Sequence, residues 1–163
     1  MFNLCLNYVQ NYEDAQEITQ DIFVAIHQSI DKFRNESNLE TWIYRISINK
    51  CLDFIRTRQR KKRFAFIYFI TGDKEITSVK QLSEFNHPGV ALEQKEQMAF
   101  LFKCINALPE NQKTALILNK LEQKKQQEIA EIMQISAKAV ESLIQRAKLN
   151  LFKNINESKD LRL

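Results

Sequence analysis

The chain has 163 residues, a formal net charge of +4, and only two Gly and two Pro, so it holds little material for turns and much for helices. No stretch approaches the roughly 20 apolar residues that span a bilayer. Met1-Phe-Asn-Leu-Cys-Leu lacks the basic region and cleavage site of a signal peptide. Membrane insertion and export are therefore not expected. Cys5, Cys51 and Cys104 are odd in number and lack C-x-x-C spacing, which fits free thiols in a reducing cytoplasm. His27 and His87 lie far apart with no Cys at ligand spacing, so neither a metal site nor a cofactor is expected.

A first block runs from residue 1 to 63. Asn11-Tyr-Glu-Asp14 reads as a helix start with acids in the first turn, where the helix dipole favours them. Ala15, Ile18, Ile22, Ile26 and Ile30 then form an apolar stripe, leaving Glu17, Gln20, Asp21 and Gln28 on polar faces. Residues 32–38 break the periodicity as a loop. Ser37-x-x-Glu40 matches a capping box opening a helix from Leu39 to about Arg63. Ile43, Ile46 and Ile55 are expected inside, with Trp42, Arg45, Asn49 and Arg56 along another stripe.

That helix ends in Arg56-Thr-Arg-Gln-Arg-Lys-Lys-Arg63, a run of cations without an acid. Cations at a helix C-terminus suit the dipole, and they also suit nucleic-acid phosphates. Residues 64–91 read as a linker. Within it Phe64–Ile70 is a dense apolar run, compatible with a helix extension, a short strand or a segment packed on a partner. Thr71-Gly-Asp-Lys reads as a turn and His87-Pro-Gly89 as a stop.

The second block, 92–163, opens with a helix over Leu92–Ala107. Leu108-Pro109 places Pro at the start of the next, where its missing N–H costs nothing. From Gln127 to Lys148 two short helices meet at a tight turn. Ile129, Ala130 and Met133 line the first, and Val140, Ile144, Ala147 and Leu151 recur at helical spacing on the second. Small Ala130 permits a close crossing, Ser136 is a natural N-cap, and Gln134 stands where such turns often hold Gly. This is a helix-turn-helix pattern, whose second helix normally enters the DNA major groove. The run is also compatible with an ordinary antiparallel helix pair. The charged Glu157–Leu163 tail is expected to fray.

Two longer motifs carry a family resemblance. Asp14-Ala-Gln-Glu-Ile-Thr-Gln-Asp-Ile-Phe23, followed by the stretch from Phe33 to Asn49 with its Glu-Thr-Trp-Ile-Tyr-Arg-Ile core, closely resembles region 2 of bacterial sigma factors of the extracytoplasmic-function class. Ala107-Leu-Pro-Glu-Asn-Gln-Lys113 and the Glu128–Lys148 run resemble region 4 of the same class. The motifs come in the right order, at the right separation, and cover nearly the whole chain.

The resemblance implies an all-α protein of two small helical domains joined by a linker, with no enzymatic activity. Its partners would be RNA polymerase core and promoter DNA, with room for an anti-sigma factor. Glu17, Gln20 and Asp21 correspond to the face that docks on the polymerase, which their predicted exposure suits. Asn35, Ser37, Asn38, Trp42, Tyr44, Arg45, Asn49 and Arg56 fall in the part that captures an unstacked base of the −10 element and holds the separated strand. That task needs aromatic platforms, cations and short amides. Lys138, Glu141, Ser142, Gln145, Arg146 and Lys148 lie on the −35 recognition helix, where Arg146 suits guanine or phosphate and Gln145 suits adenine. Glu141 and Leu143 depart from the basic residues often found there. Family members also begin with a further helix ahead of the segment matching Phe2–Tyr8. The chain therefore reads as N-terminally short, with Leu4, Leu6, Tyr8 and Val9 less well packed.

Two other classes compete. A promoter-binding regulator would use block one as a sensing or dimerisation module, and would need a ligand pocket or a symmetric interface there. A peripheral membrane protein would use Arg56–Ile70, but its cations cluster ahead of the apolar run rather than among it.

Overall fold

The computed structural model describes residues 1–34, 36–71 and 92–160, with side chains described at 1–34, 36–64 and 96–157. Of the turn expected at 71–74 only Thr71 is described, as the end of a helix, and the stop at 87–89 lies outside these residues; of the tail expected to fray, 157–160 is helical and 161–163 lies outside. Seven α-helices carry the described chain: α1 (Phe2–Val9), α2 (Tyr12–Ser29), α3 (Leu39–Thr71), α4 (Leu92–Asn106), α5 (Glu110–Leu116), α6 (Gln126–Met133) and α7 (Ala137–Asp160). A 3-10 turn follows α2 and a π-helical turn, Ile117–Leu121, follows α5. There is no strand among the described residues, as the scarcity of breakers predicts.

Local chemistry explains most boundaries. Asn11 caps α2 by accepting from the Asp14 N–H at 2.8 Å, which satisfies one of the orphan donors of the first turn. At α3 the expected capping box is replaced. Asn38, not Ser37, caps the helix, accepting from the Glu40 N–H at 3.1 Å. Glu40 instead turns outward to pair with Lys124. The helix then runs through Arg63 to Thr71, so the 64–70 run is a helix extension.

In block one, α1, α2 and α3 bury Leu4, Cys5, Tyr8, Val9, Ala15, Ile18, Ile22, Tyr44, Ile48 and Cys51. Two expectations are corrected here. Ile43, Ile46 and Ile55 are only partly buried, because the buried stripe of α3 runs through Thr41, Tyr44, Ser47, Ile48 and Cys51. Leu4, Tyr8 and Val9 are well packed rather than loose; Leu6 is half-buried. The three cysteines are buried and free.

Block two packs α5, α6 and α7 around Ala115, Leu116, Ile117, Ile129, Val140, Ile144 and Ala147. Gln134 ends α6 with φ 56°, in the left-handed region. Ser136 caps α7, its Oγ accepting from the Ala139 N–H at 3.2 Å. The blocks are not joined by a linker alone. One apolar core runs from Leu4, Tyr8 and Ile48 through Ile117, Leu118 and Ile129, and α3 packs directly on α6. The flexible tether suggested by the sequence is thus overlaid by a built contact.

Candidate functional site

The helix-turn-helix follows from its core. Val140, Ile144 and Ala147 of α7 are buried against α5 and α6, which turns the opposite face outward. Lys138, Glu141, Gln145, Arg146 and Lys148 are exposed on that face and Ser142 is half-buried. All six predicted −35 residues therefore sit on one helix that presents them together. Leu149 and Phe152 extend the same face as exposed apolar groups.

On α2, the burial of Ala15, Ile18 and Ile22 leaves Glu17, Gln20 and Asp21 exposed in a row. Phe23 and Val24 beside them are also exposed. Large apolar groups next to carboxylates make a surface suited to a protein partner. The sequence pattern did not single out this pair, because both fall off the apolar stripe.

The predicted −10 residues have divided surroundings. Asn35 lies outside the described residues. Asn38 is exposed at the start of α3 and Ser37 is half-buried. Trp42 is half-buried, its ring against Phe33 with centroids 5.2 Å apart. Asn38 and Leu39 stand beside an open, mostly apolar pocket of about 550 Å³. Its other walls are Met1, Phe23, Ile26, Glu40, Ile43 and Tyr44. Sequence reasoning missed this pocket, since it joins α2 to the α3 start across the loop.

Tyr44, Arg45, Asn49 and Arg56 face block two. Tyr44 is buried and donates its hydroxyl to Glu122 Oε2 at 3.2 Å, with the Lys124 ammonium 4.8 Å from its ring centre. Burial, with help from Glu122, raises the Tyr44 phenol above its ordinary pKa. Arg45 donates through Nε and Nη2 to the Glu131 carbonyl at 3.3 and 2.7 Å. Arg56 forks onto both oxygens of Glu110 at 2.9 and 2.7 Å, and hydrogen bonding to that carboxylate raises its pKa. Asn49 lines a cavity of about 200 Å³ between the blocks, with Arg45, Leu52, Thr114 and Met133. Of the cationic run, Arg58 pairs with Asp14, while Lys61, Lys62 and Arg63 are exposed.

Beneath this rim lies a buried polar centre. Tyr8 donates to Thr114 Oγ1 at 2.9 Å. Lys113 is 95% buried and donates to the Tyr8 carbonyl at 3.1 Å and to Asn106 Oδ1. Desolvation lowers the Lys113 pKa to about 8. The Tyr8 carbonyl belongs to the last turn of α1, so Lys113 caps that helix from the other block.

These features define a class: an all-helical chain with a helix-turn-helix in its second block and a polar, partly aromatic face in its first. Comparison with known proteins carries the assignment further. Residues 1–61 match the family model for sigma-70 region 2 and residues 99–151 that for sigma-70 region 4. The ECF RNA polymerase sigma-E factor of Haemophilus influenzae is 32% identical over 146 residues, covering 89% of this chain and 76% of that protein. The RNA polymerase sigma-H factor of Pseudomonas aeruginosa is 28% identical over 153 residues, covering 91% of this chain and 76% of that protein. The fold is similar to the sigma factor RpoE of Bartonella quintana, solved with the anti-sigma factor NepR, at a TM-score of 0.63 and 20% identity, covering 95% of this chain and 89% of that one. The chain belongs to the extracytoplasmic-function sigma factors, a non-enzymatic family of transcription initiation.

Proposed function

We propose that this chain docks on RNA polymerase core through Glu17, Gln20 and Asp21 of α2, reads the −35 element with α7, and captures the −10 element with the start of α3. The observation that carries the reading is α7. Val140, Ile144 and Ala147 of its apolar stripe are buried in the core, and its outward face carries Lys138, Gln145 and Arg146, residue types that suit a major-groove reader. Block 1–63 is the docking and −10 domain, and block 92–163 the −35 domain.

The pocket beside Asn38 supports the −10 assignment. An unstacked base needs an apolar wall and a polar rim, and Phe23, Ile26, Leu39 and Ile43 with Asn38 supply both. Phe23 thereby joins the residues assigned to this element. Ser37, Trp42, Tyr44, Arg45, Asn49 and Arg56 flank or follow the pocket's α3 residues along the chain, and Asn35 is assigned with them from the sequence. Strand separation then rests on holding the extruded base, with cations for the backbone. The sigma factor RpoE of Bartonella quintana was co-crystallised with an anti-sigma factor, and this chain is a fitting target for a regulator of that kind.

Two substitutions separate the elements. Arg146→Ala should weaken transcription from −35-dependent promoters, since losing one guanine or phosphate contact costs about 1–3 kcal/mol. Asn38→Ala should act on the −10 element. Transcription from a library randomised at each element scores both. An effect of Arg146→Ala on −10 preference, or of Asn38→Ala on −35 preference, would contradict the assignment.

A further inference from the structure

The three buried, free thiols have no role in the function proposed above. Two of them, Cys5 of α1 and Cys51 of α3, lie in the core of block one, and both are 0% exposed. Their register follows from the helices that carry them, which pack directly on each other. The Cys5 N–H bonds to the Met1 carbonyl at 3.0 Å, so Met1 and Cys5 lie one turn apart on one face. Ser47 and Cys51 are likewise one turn apart on α3, and the Ser47 hydroxyl meets Met1 Sδ at 2.9 Å. The next rung sets Cys5 against Cys51. There the two thiols hydrogen-bond each other, and the Thr19 side chain of α2 also bonds to Cys5.

We propose that Cys5 and Cys51 form a reversible disulfide when the chain meets a hydroperoxide, a latch that ties α1 to α3 and holds the block-one bundle together. The pair is poised for this chemistry. Hydrogen bonding with Cys51 favours the Cys5 thiolate and pulls its pKa below the ordinary thiol value, while the same bond and burial raise that of Cys51. Thiolate is the reactive form. The Cys5 thiolate attacks one oxygen of hydrogen peroxide, the O–O bond breaks, and the departing hydroxide takes the proton that Cys5 released, leaving sulfenic acid. The Cys51 sulfur then attacks the Cys5 sulfur, giving its proton to the hydroxyl group that leaves as water. Two thiols and one peroxide become one disulfide and two waters. Access comes through α1. Its last turn ends at Gln10 with φ 56°, and Gln10 Nε2 is buried with no hydrogen-bond partner among the described residues. Such a joint favours local opening over global unfolding. Neither thiol is among the residues assigned to polymerase or promoter, so the latch stabilises the bundle without occupying those surfaces.

The test treats the reduced full chain with hydrogen peroxide at neutral pH, then alkylates it with iodoacetamide in denaturant. Mass spectrometry should find one alkylated cysteine, Cys104, and a tryptic cross-link between peptides 1–32 and 51–56 that dithiothreitol removes. The oxidised chain should also melt at a higher temperature, by roughly 5 °C or more, because the link closes a long loop of the unfolded chain. Cys51→Ala should lose both the cross-link and the shift, whereas Cys104→Ala should keep them, which separates the pair from peroxide damage elsewhere. Three alkylated cysteines after peroxide, over-oxidation of Cys5 without the link, or a link through Cys104 would overturn the pairing. A Cys5–Cys51 link without the thermal shift would overturn the latch.

Discussion

Lys113 shows how far a residue's role depends on what the fold brings to it. Buried among Tyr8, Asn106 and Thr114, with no carboxylate bonded to it, it is disfavoured in its charged form, and its pKa falls to about 8 from the ordinary 10.5. The folded state thus binds the Lys113 proton less tightly than the unfolded state does. Its destabilising effect is complete below about pH 8 and is relieved as pH rises toward 10.5. Thermal unfolding at a series of pH values should therefore show the native chain gaining stability relative to Lys113→Met across that window. Parallel curves for the two proteins would contradict the burial of the charge. The sequence places this residue at the end of the 107–113 motif but does not mark it as buried. A lone Lys between Gln112 and Thr114 reads as solvent-facing, and its partner carbonyl lies 105 residues away.

At the scale of elements the sequence was more informative. Periodicity located the stripe of α7 and that of α2 from Ala15 to Ile22, though Ile26 is half-buried and Ile30, past the end of α2, is exposed; short polar residues marked the starts at Asn11 and Ser136. It failed where two cap candidates stand side by side, since Ser37 and Asn38 differ only in which one the loop aims at the first-turn N–H groups. It also placed the inward stripe of α3 one position off, because that helix is contacted by both α1–α2 and α6 and has no single buried face. The turn of the helix-turn-helix was legible, and Gln134 adopts the positive φ that its position requires. Gly populates that region without the Cβ penalty. Gln134→Gly should therefore stabilise the fold by about 0.5–1 kcal/mol, after allowing for the freedom Gly gains when unfolded. Denaturant melts measure this, and a loss of stability would mean that the Gln134 side chain supports the turn.

Across the whole molecule, the two family motifs and their order were readable, and the packing between them was not. Glu110 and Glu122 look like ordinary solvated acids until the fold sets them against Arg56 and Tyr44, and the partner of Arg45 is the backbone carbonyl of Glu131. Such pairings join residues far apart in sequence, where periodicity carries no information. Glu17, Gln20 and Asp21 of α2, proposed above to dock on the polymerase, are by contrast exposed and need no such pairing. Asp21→Lys should weaken polymerase-core binding without unfolding the chain, since it reverses a charge in the partner surface and disturbs no packing. Competition binding alongside circular dichroism measures both effects, and unchanged affinity would remove Asp21 from the interface.

The central claim is that the chain acts as a promoter-directing subunit of the polymerase rather than as a free-standing DNA-binding regulator. Run-off transcription with purified core polymerase on genomic promoter fragments tests it most directly. Discrete transcripts should appear only when core and this chain are both present, and the chain alone should bind the same duplexes weakly. Tight, sequence-specific duplex binding by the chain alone, with transcription by core unchanged on its addition, would contradict the account.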